Sequence, residues 1–110
     1  MTIVDVPQLP ARYDQATKLW IPSINLDAAK SFGELRIMLP ANANRLHIAP
    51  LVAALRDQLR DVTAEDWLVA VGDPSLIAAA VCLAVKRTGV MRLLKWDRQS
   101  ANYLPVEVSI

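Results

Sequence analysis

Residues 66–98 constrain the fold most strongly, because they carry signals for a strand, a helix and a second strand in direct succession. Residues 67–71 are apolar at every position, which is typical of a strand that is buried on both faces of a sheet. Asp73 and Pro74 then suit the N-cap and the first turn of a helix, and Gly89 suits the left-handed residue that ends it. An apolar strand follows the glycine. This succession predicts an α/β domain with parallel neighbouring strands.

The remaining segments fit the same class. A 3.6-residue apolar period predicts an amphipathic helix, and strict alternation near the C-terminus predicts a half-exposed strand that runs antiparallel to its predecessor. Proline on a strand restricts that strand to a sheet edge, because proline donates no backbone hydrogen bond. We expect an edge strand at 18–24, a strand at 34–39, the amphipathic helix at 46–62, the second helix at 74–88, a strand at 90–96 and the alternating strand at 103–110.

The predicted order is therefore β-β-α-β-α-β-β, a small Rossmann-like α/β domain. Its sheet should be mixed, parallel in the centre and closed by an antiparallel C-terminal strand. Residues 1–16, which Pro7 and Pro10 interrupt, lack sustained periodicity and are expected to form an extended N-terminal arm. Residues 17–110 should form the single α/β domain.

The composition favours association between copies of the chain. Hydrophobic residues make up 54% of 110 residues, which is more apolar surface than a domain of this size hides in its own core. The segment 76–85 is apolar nearly all round, so the arm or a second subunit should lie against that helix. Cys82 lies within it and is expected to be a small buried hydrophobe. We expect a homo-oligomer, with a dimer favoured.

No apolar run has the length of a membrane span, and the N-terminal residues lack the basic and apolar regions of a signal peptide. We therefore expect a cytoplasmic protein without a membrane partner.

The turn at Gly72, Asp73 and Ser75 is a candidate anion- or ligand-binding site. It follows the predicted central strand and opens a helix, where free backbone N–H groups and the helix dipole meet. The competing interpretation is simple helix capping, and the Asp73 carboxylate would repel a phosphate. The sequence has no glycine-rich nucleotide-binding motif.

A cationic stretch is the candidate macromolecule-binding surface. Its cations and a neighbouring aromatic residue suit phosphate contacts and base stacking, or an acidic protein. The competing interpretation is a solvated face, with the first two cations placed by the dipole of the preceding helix. The residues concerned are Lys86, Arg87, Arg92, Lys95, Trp96 and Arg98.

Catalysis is not expected. His47 is the single histidine and has no partner that the sequence identifies, and the carboxylates have no spacing typical of a paired or metal-binding site. We predict no catalytic residue, no metal and no cofactor.

A resemblance adds to this picture. Gly72-Asp73-Pro74, Ile77-Ala78, the run from Leu94 to Arg98, and Tyr103 resemble small uncharacterised proteins of tailed bacteriophages, over about residues 66–110. The resemblance implies a viral accessory protein that acts in the bacterial cytoplasm by binding a host or phage macromolecule. It implies no activity and transfers no functional residue.

The sequence therefore predicts a non-enzymatic binding module with an unidentified protein partner. Two alternatives stay open. One is a nucleic-acid-binding protein that uses the basic stretch 86–98, and the other is a small anion- or nucleotide-binding domain that uses the turn at 72–75.

Overall fold

A computed structural model describes residues 2–44 and 46–109 of the chain. Within them, a five-stranded sheet has the order β4-β1-β5-β6-β7, and β2 and β3 form a separate two-stranded sheet. The elements are β1 (Ile3–Gln8), β2 (Ala11–Asp14), β3 (Leu19–Pro22), a 3-10 helix (Asp27–Phe32), β4 (Glu34–Leu39), α1 (Ile48–Gln58), a second 3-10 helix (Leu59–Asp61), β5 (Trp67–Val69), α2 (Pro74–Thr88), β6 (Val90–Asp97) and β7 (Asn102–Ser109).

The strand directions confirm the predicted mixed α/β sheet. β4, β1, β5 and β6 run parallel to one another. β7 is antiparallel to β6 along the whole strand, from the pair Val90 and Ser109 to the pair Asp97 and Asn102. Ile110, which we expected to end this strand, lies outside the described residues. The finer Rossmann-like assignment stays a prediction.

Two apolar clusters hold the layers together. One joins α1 and α2 to a face of the sheet, which we call the helical face, through residues such as Leu55, Leu68 and Leu76. The other lies beneath the first 3-10 helix and includes Val4 and Val69. The central strands of the sheet are therefore covered on both faces, as the apolar strand at 67–71 predicted.

The capping signals of α2 operate as predicted. Asp73 Oδ1 accepts a hydrogen bond from the Ser75 N–H at 2.8 Å, and Pro74 occupies the first turn. Gly89 adopts the left-handed conformation (φ +80°), and its N–H donates to the Val85 carbonyl. Local side-chain chemistry therefore fixes both ends of this helix.

Residues 3–8 differ from the prediction of an extended arm, because they form β1 in the middle of the sheet. Val4 and Val6 are fully buried against the 3-10 helix, but Asp5 and Pro7 interrupt the apolar pattern. The charge of Asp5 is met by Arg36 on β4, a partner far away in sequence. Nothing in the sequence of residues 3–8 indicates that Arg36 will pair with Asp5.

The expected edge strand at 18–24 also differs. β3 pairs with β2, from residues 11–14 of the predicted arm, and not with the main sheet. Pro22 stands at the end of this hairpin. An isolated pair of strands tolerates proline for the same reason that a sheet edge does, because the outer side needs no donor.

The outer surface of α2 is not covered by the N-terminal segment, which lies in the sheet. Cys82 is exposed, and the expectation of a buried cysteine was therefore wrong. Ala80 and Ala84 face the core, whereas Ala78 is exposed. Within the described residues, every helix is too short or too polar to cross a membrane.

Candidate functional site

The carboxyl ends of β1 and β5 lie side by side, and the chain leaves them toward opposite faces of the sheet. After β1 it runs through the hairpin to the first 3-10 helix, and after β5 it enters α2 on the helical face. Such a divergence leaves a crevice outside the strand ends, which is where open α/β sheets bind ligands. The carboxyl edge of the parallel strands is therefore the candidate site.

A cleft of about 140 Å³ occupies this crevice, between the hairpin and the loop that follows β4. Its floor is Gln8, whose buried Nε2 donates to the carbonyl oxygens of Pro40 at 3.0 Å and Ala41 at 3.4 Å. Gly72 forms one wall with φ +100°, and a Cβ there would stand 3.0 Å from the Gln8 carbonyl oxygen. The shape of the cleft thus depends on a glycine at position 72.

The residues predicted to bind a ligand, Gly72, Asp73 and Ser75, differ in their relation to this cleft. Gly72 lines it, whereas the backbone N–H of Ser75 already donates to the Asp73 carboxylate. The amino end of α2 is therefore occupied by an anionic side chain of the same chain.

Another cleft, of about 390 Å³, lies on the other side of the β5 end. Trp96 and Tyr103 form its aromatic wall, with ring centroids 5.1 Å apart at 67°. The Tyr103 hydroxyl donates to the Asn25 carbonyl oxygen at 3.4 Å, and burial raises the pKa of Tyr103. The cleft is lined by Ser23, Ile24, Asn25, Val71, Trp96 and Tyr103.

The hairpin of β2 and β3 extends from the same edge. Tyr13 and Trp20 are cross-strand partners with ring centroids 5.6 Å apart, and they are 45% and 44% exposed. Asp14 holds the turn by accepting from the Thr17 hydroxyl at 2.8 Å, a bond that lowers the pKa of Asp14. Lys18 completes the turn in the left-handed conformation (φ 59°). The aromatic pair is thus presented on a defined turn, and Trp20 also lines the first cleft.

The cationic stretch 86–98 does not form one surface. Lys86 and Arg87 end α2 beside the start of β6, whereas Arg98 follows the other end of that strand. Alternation along β6 places Lys95 on the helical face with Leu93, and Trp96 on the opposite face. The structure therefore brings only part of the predicted basic surface to the carboxyl edge.

Arg92 has intramolecular partners. Its guanidinium carbon lies 3.9 Å from the centroid of the Trp67 ring, and its Nη2 donates to the Glu65 carbonyl oxygen. Phe32 packs edge-on against the same indole. Arg92 thus covers part of the second apolar cluster.

Sequence reasoning missed Gln8, Tyr13 and Trp20, because they fell in the predicted arm and edge strand. The Asp14 to Thr17 turn with an aromatic residue on either side is the signal that could have revealed the hairpin. Within residues 2–44 and 46–109, no cluster of three or more histidine, cysteine or acidic side chains could hold a metal ion.

Fold and site define a small α/β protein with clefts and exposed aromatic residues at the carboxyl edge of its sheet. A model of the family described as "Phage Pam3 gp32-like protein" matches residues 2–110, and the chain belongs to that family. This confirms the resemblance to bacteriophage proteins and extends it over almost the whole chain. No curated protein and no solved structure matches the chain.

Proposed function

We propose that this phage protein is a non-enzymatic accessory module that binds another protein in the cytoplasm of the bacterial host. The observation that carries the proposal is the pair Tyr13 and Trp20, which stands exposed on a hairpin beside two clefts. Tyrosine and tryptophan dominate the binding energy of protein interfaces, since each buries a large area with few rotatable bonds.

The hairpin itself supports a protein partner. A two-stranded sheet is marginally stable alone in water, yet this one exposes Leu19 in addition to the aromatic pair. Burial of these side chains under a partner would stabilise both the hairpin and the complex. An exposed aromatic pair of this kind is typical of interaction sites.

The clefts supply specificity in this proposal. The cleft beside Trp96 has room for one or two apolar side chains, and the cleft beside Trp20 is bordered by Gln8, whose buried amide fixes the loop after β4. A partner segment that lies across the carboxyl edge would contact the hairpin and both clefts together.

The basic stretch gives less support to a nucleic-acid partner. A phosphate backbone needs several cations on one surface, whereas Arg92 is held by Trp67 and Lys95 lies on the face opposite Trp96. The anion-binding alternative also has less support, because the Asp73 carboxylate occupies the amino end of α2 and would repel an anion there.

The experiment is affinity purification of the tagged protein from phage-infected host cells, with variants Trp20→Ala and Ile37→Ala in parallel. Ile37 is a matched control, because it is 42% exposed on the neighbouring strand β4 and lines neither of the two clefts. We expect a host or phage protein that is retained by the wild type and by Ile37→Ala, and is lost with Trp20→Ala.

Two results would overturn the proposal. One is a partner that remains bound to Trp20→Ala at the wild-type level. The other is binding of single-stranded DNA or RNA that weakens steeply with salt and disappears in Lys95→Glu while the fold persists, which would support the nucleic-acid alternative.

A further inference from the structure

The helical face of the sheet is incompletely covered. α1 lies against β4, and α2 lies against β1 and β6. Packed helices are spaced about 10 Å apart and strands about 4.8 Å, so two helices cover roughly four strands. Among the described residues, the fifth strand, β7, stays largely open on this face, and its Leu104 and Val106 are 43% and 40% exposed.

The bare strand and the flank of α2 form one apolar strip. Leu104, Val106 and Val108 share the helical face, since they pair with Lys95, Leu93 and Met91 of β6. A groove of about 420 Å³ separates Val108 from α2, and its lining is Val81, Cys82, Val85, Lys86 and Val108. Four of these five side chains are apolar, so burial of the strip is favourable.

The edge of β7 is protected against strand addition. The Ala70 N–H donates to the Leu94 carbonyl oxygen at 3.0 Å, so the backbone groups of Leu94 point toward β5. Leu94 and its partner Pro105 are therefore a pair without mutual hydrogen bonds, and the nitrogen of Pro105 faces the free edge. Since proline has no N–H, an added strand would lose a bond at the middle of β7. An occupant must therefore lie on the face of the strip.

Charge differs between the two ends of the strip. Lys86 and Arg87 stand at the end where α2 meets β6. Asp97 stands at the other end, on the same face as Lys95, and hydrogen bonds from Ser100 lower the pKa of Asp97. One end is thus cationic, and the other combines a firmly ionised carboxylate with one cation.

We infer that a second copy of this chain covers the strip, in a two-fold dimer whose strips run in opposite directions. This arrangement turns Lys86 of each copy toward the Asp97 end of its partner, whereas parallel strips would bring the cationic ends together. The apolar centres, Val106 and Val108 with the flank of α2, then bury one another. The dimer leaves the hairpin and its clefts free, so it is independent of the proposed function.

The test is the molar mass of the purified chain by sedimentation equilibrium over a concentration series. We expect a dimer for the wild type and a monomer for Val106→Glu. Ile37→Glu, on the other edge strand with nearly equal exposure, should remain dimeric. Leu104→Glu serves as a second strip variant, and circular dichroism must show that each variant is folded.

A wild-type monomer at every concentration would overturn the inference and would point to a different protein on the strip. A dimer that survives both Val106→Glu and Leu104→Glu, or that is lost only in Ile37→Glu, would place the interface elsewhere and overturn it as well.

Discussion

Arg36 Nε lies 2.6 Å from Asp5 Oδ1, and this ion pair joins neighbouring strands under the helices although the residues are 31 positions apart. Asp5 is fully buried, and its Oδ2 has no hydrogen-bond partner among the described residues. Burial raises the pKa of Asp5 above its ordinary value of 3.8, Arg36 opposes that rise, and the charge of Asp66 adds to it. Desolvation therefore outweighs the ion pair.

The first prediction concerns Asp5→Asn. Because the folded-state pKa is raised, the contribution of Asp5 to stability is fully present below pH 3.8 and is lost as the pH rises through the folded-state pKa. The amide cannot ionise and should escape that loss. The free energy of unfolding of Asp5→Asn, relative to the wild type, should therefore increase from acidic to neutral pH and then level off.

Urea denaturation of both proteins across this pH range measures the difference. Other carboxylates, such as Asp14 and Asp97, titrate in both proteins and cancel in the comparison. A difference that is independent of pH, or one that moves against the variant as the pH rises, would contradict the raised pKa.

Gly72 makes a second prediction, with Gly89 as its control. Both have positive φ, but a Cβ at Gly72 would stand 3.0 Å from the Gln8 carbonyl oxygen, whereas a Cβ at Gly89 meets nothing within 4 Å. Gly72→Ala should cost about 1–3 kcal/mol of stability, since it combines an unfavourable conformation with displacement of β1. Gly89→Ala should cost about 1 kcal/mol, from the conformation alone.

Chemical denaturation of the two variants measures their losses of stability relative to the wild type. Equal losses of stability would mean that the approach of Gly72 to Gln8 costs nothing when a methyl group is added. A larger loss for Gly89→Ala would contradict the geometry of both turns.

Local signals were sufficient to predict α2 and β7. Asp73, Pro74 and Gly89 act on backbone groups within a few residues of themselves, and the alternation of β7 depends only on its own side chains. Helix caps and strand alternation can each be recognised within one stretch of sequence, and the predicted fold class was based on them.

β1 and the cleft at Gly72 could not be predicted in this way. The place of Asp5 inside the sheet depends on Arg36, and the cleft at Gly72 depends on Gln8, which lies 64 positions earlier in the chain. Tertiary contacts decide both. The predicted basic surface does not form one patch for a different and local reason, because β6 directs neighbouring side chains to opposite faces.

The third prediction tests the cap of α2. Asp73→Ala removes the acceptor of the Ser75 N–H and should cost about 1 kcal/mol of stability. Ser75→Ala is the control, because this bond uses only the backbone of Ser75, and its effect should stay within about 0.5 kcal/mol. Thermal unfolding of both variants measures the contrast. A neutral Asp73→Ala would contradict a capping role and would leave the Asp73 carboxylate free for a ligand.

The last prediction separates Arg92 from Lys95, two cations of the predicted basic surface. Arg92→Ala removes a guanidinium that covers Trp67 and binds the Glu65 carbonyl oxygen, so it should cost about 1–3 kcal/mol. Lys95→Ala removes an exposed side chain and should change stability by less than about 0.5 kcal/mol. Denaturant unfolding checks both values. If Arg92→Ala keeps full stability but abolishes binding of single-stranded DNA at low salt, the guanidinium serves a phosphate ligand, and its contacts within the chain are incidental to stability.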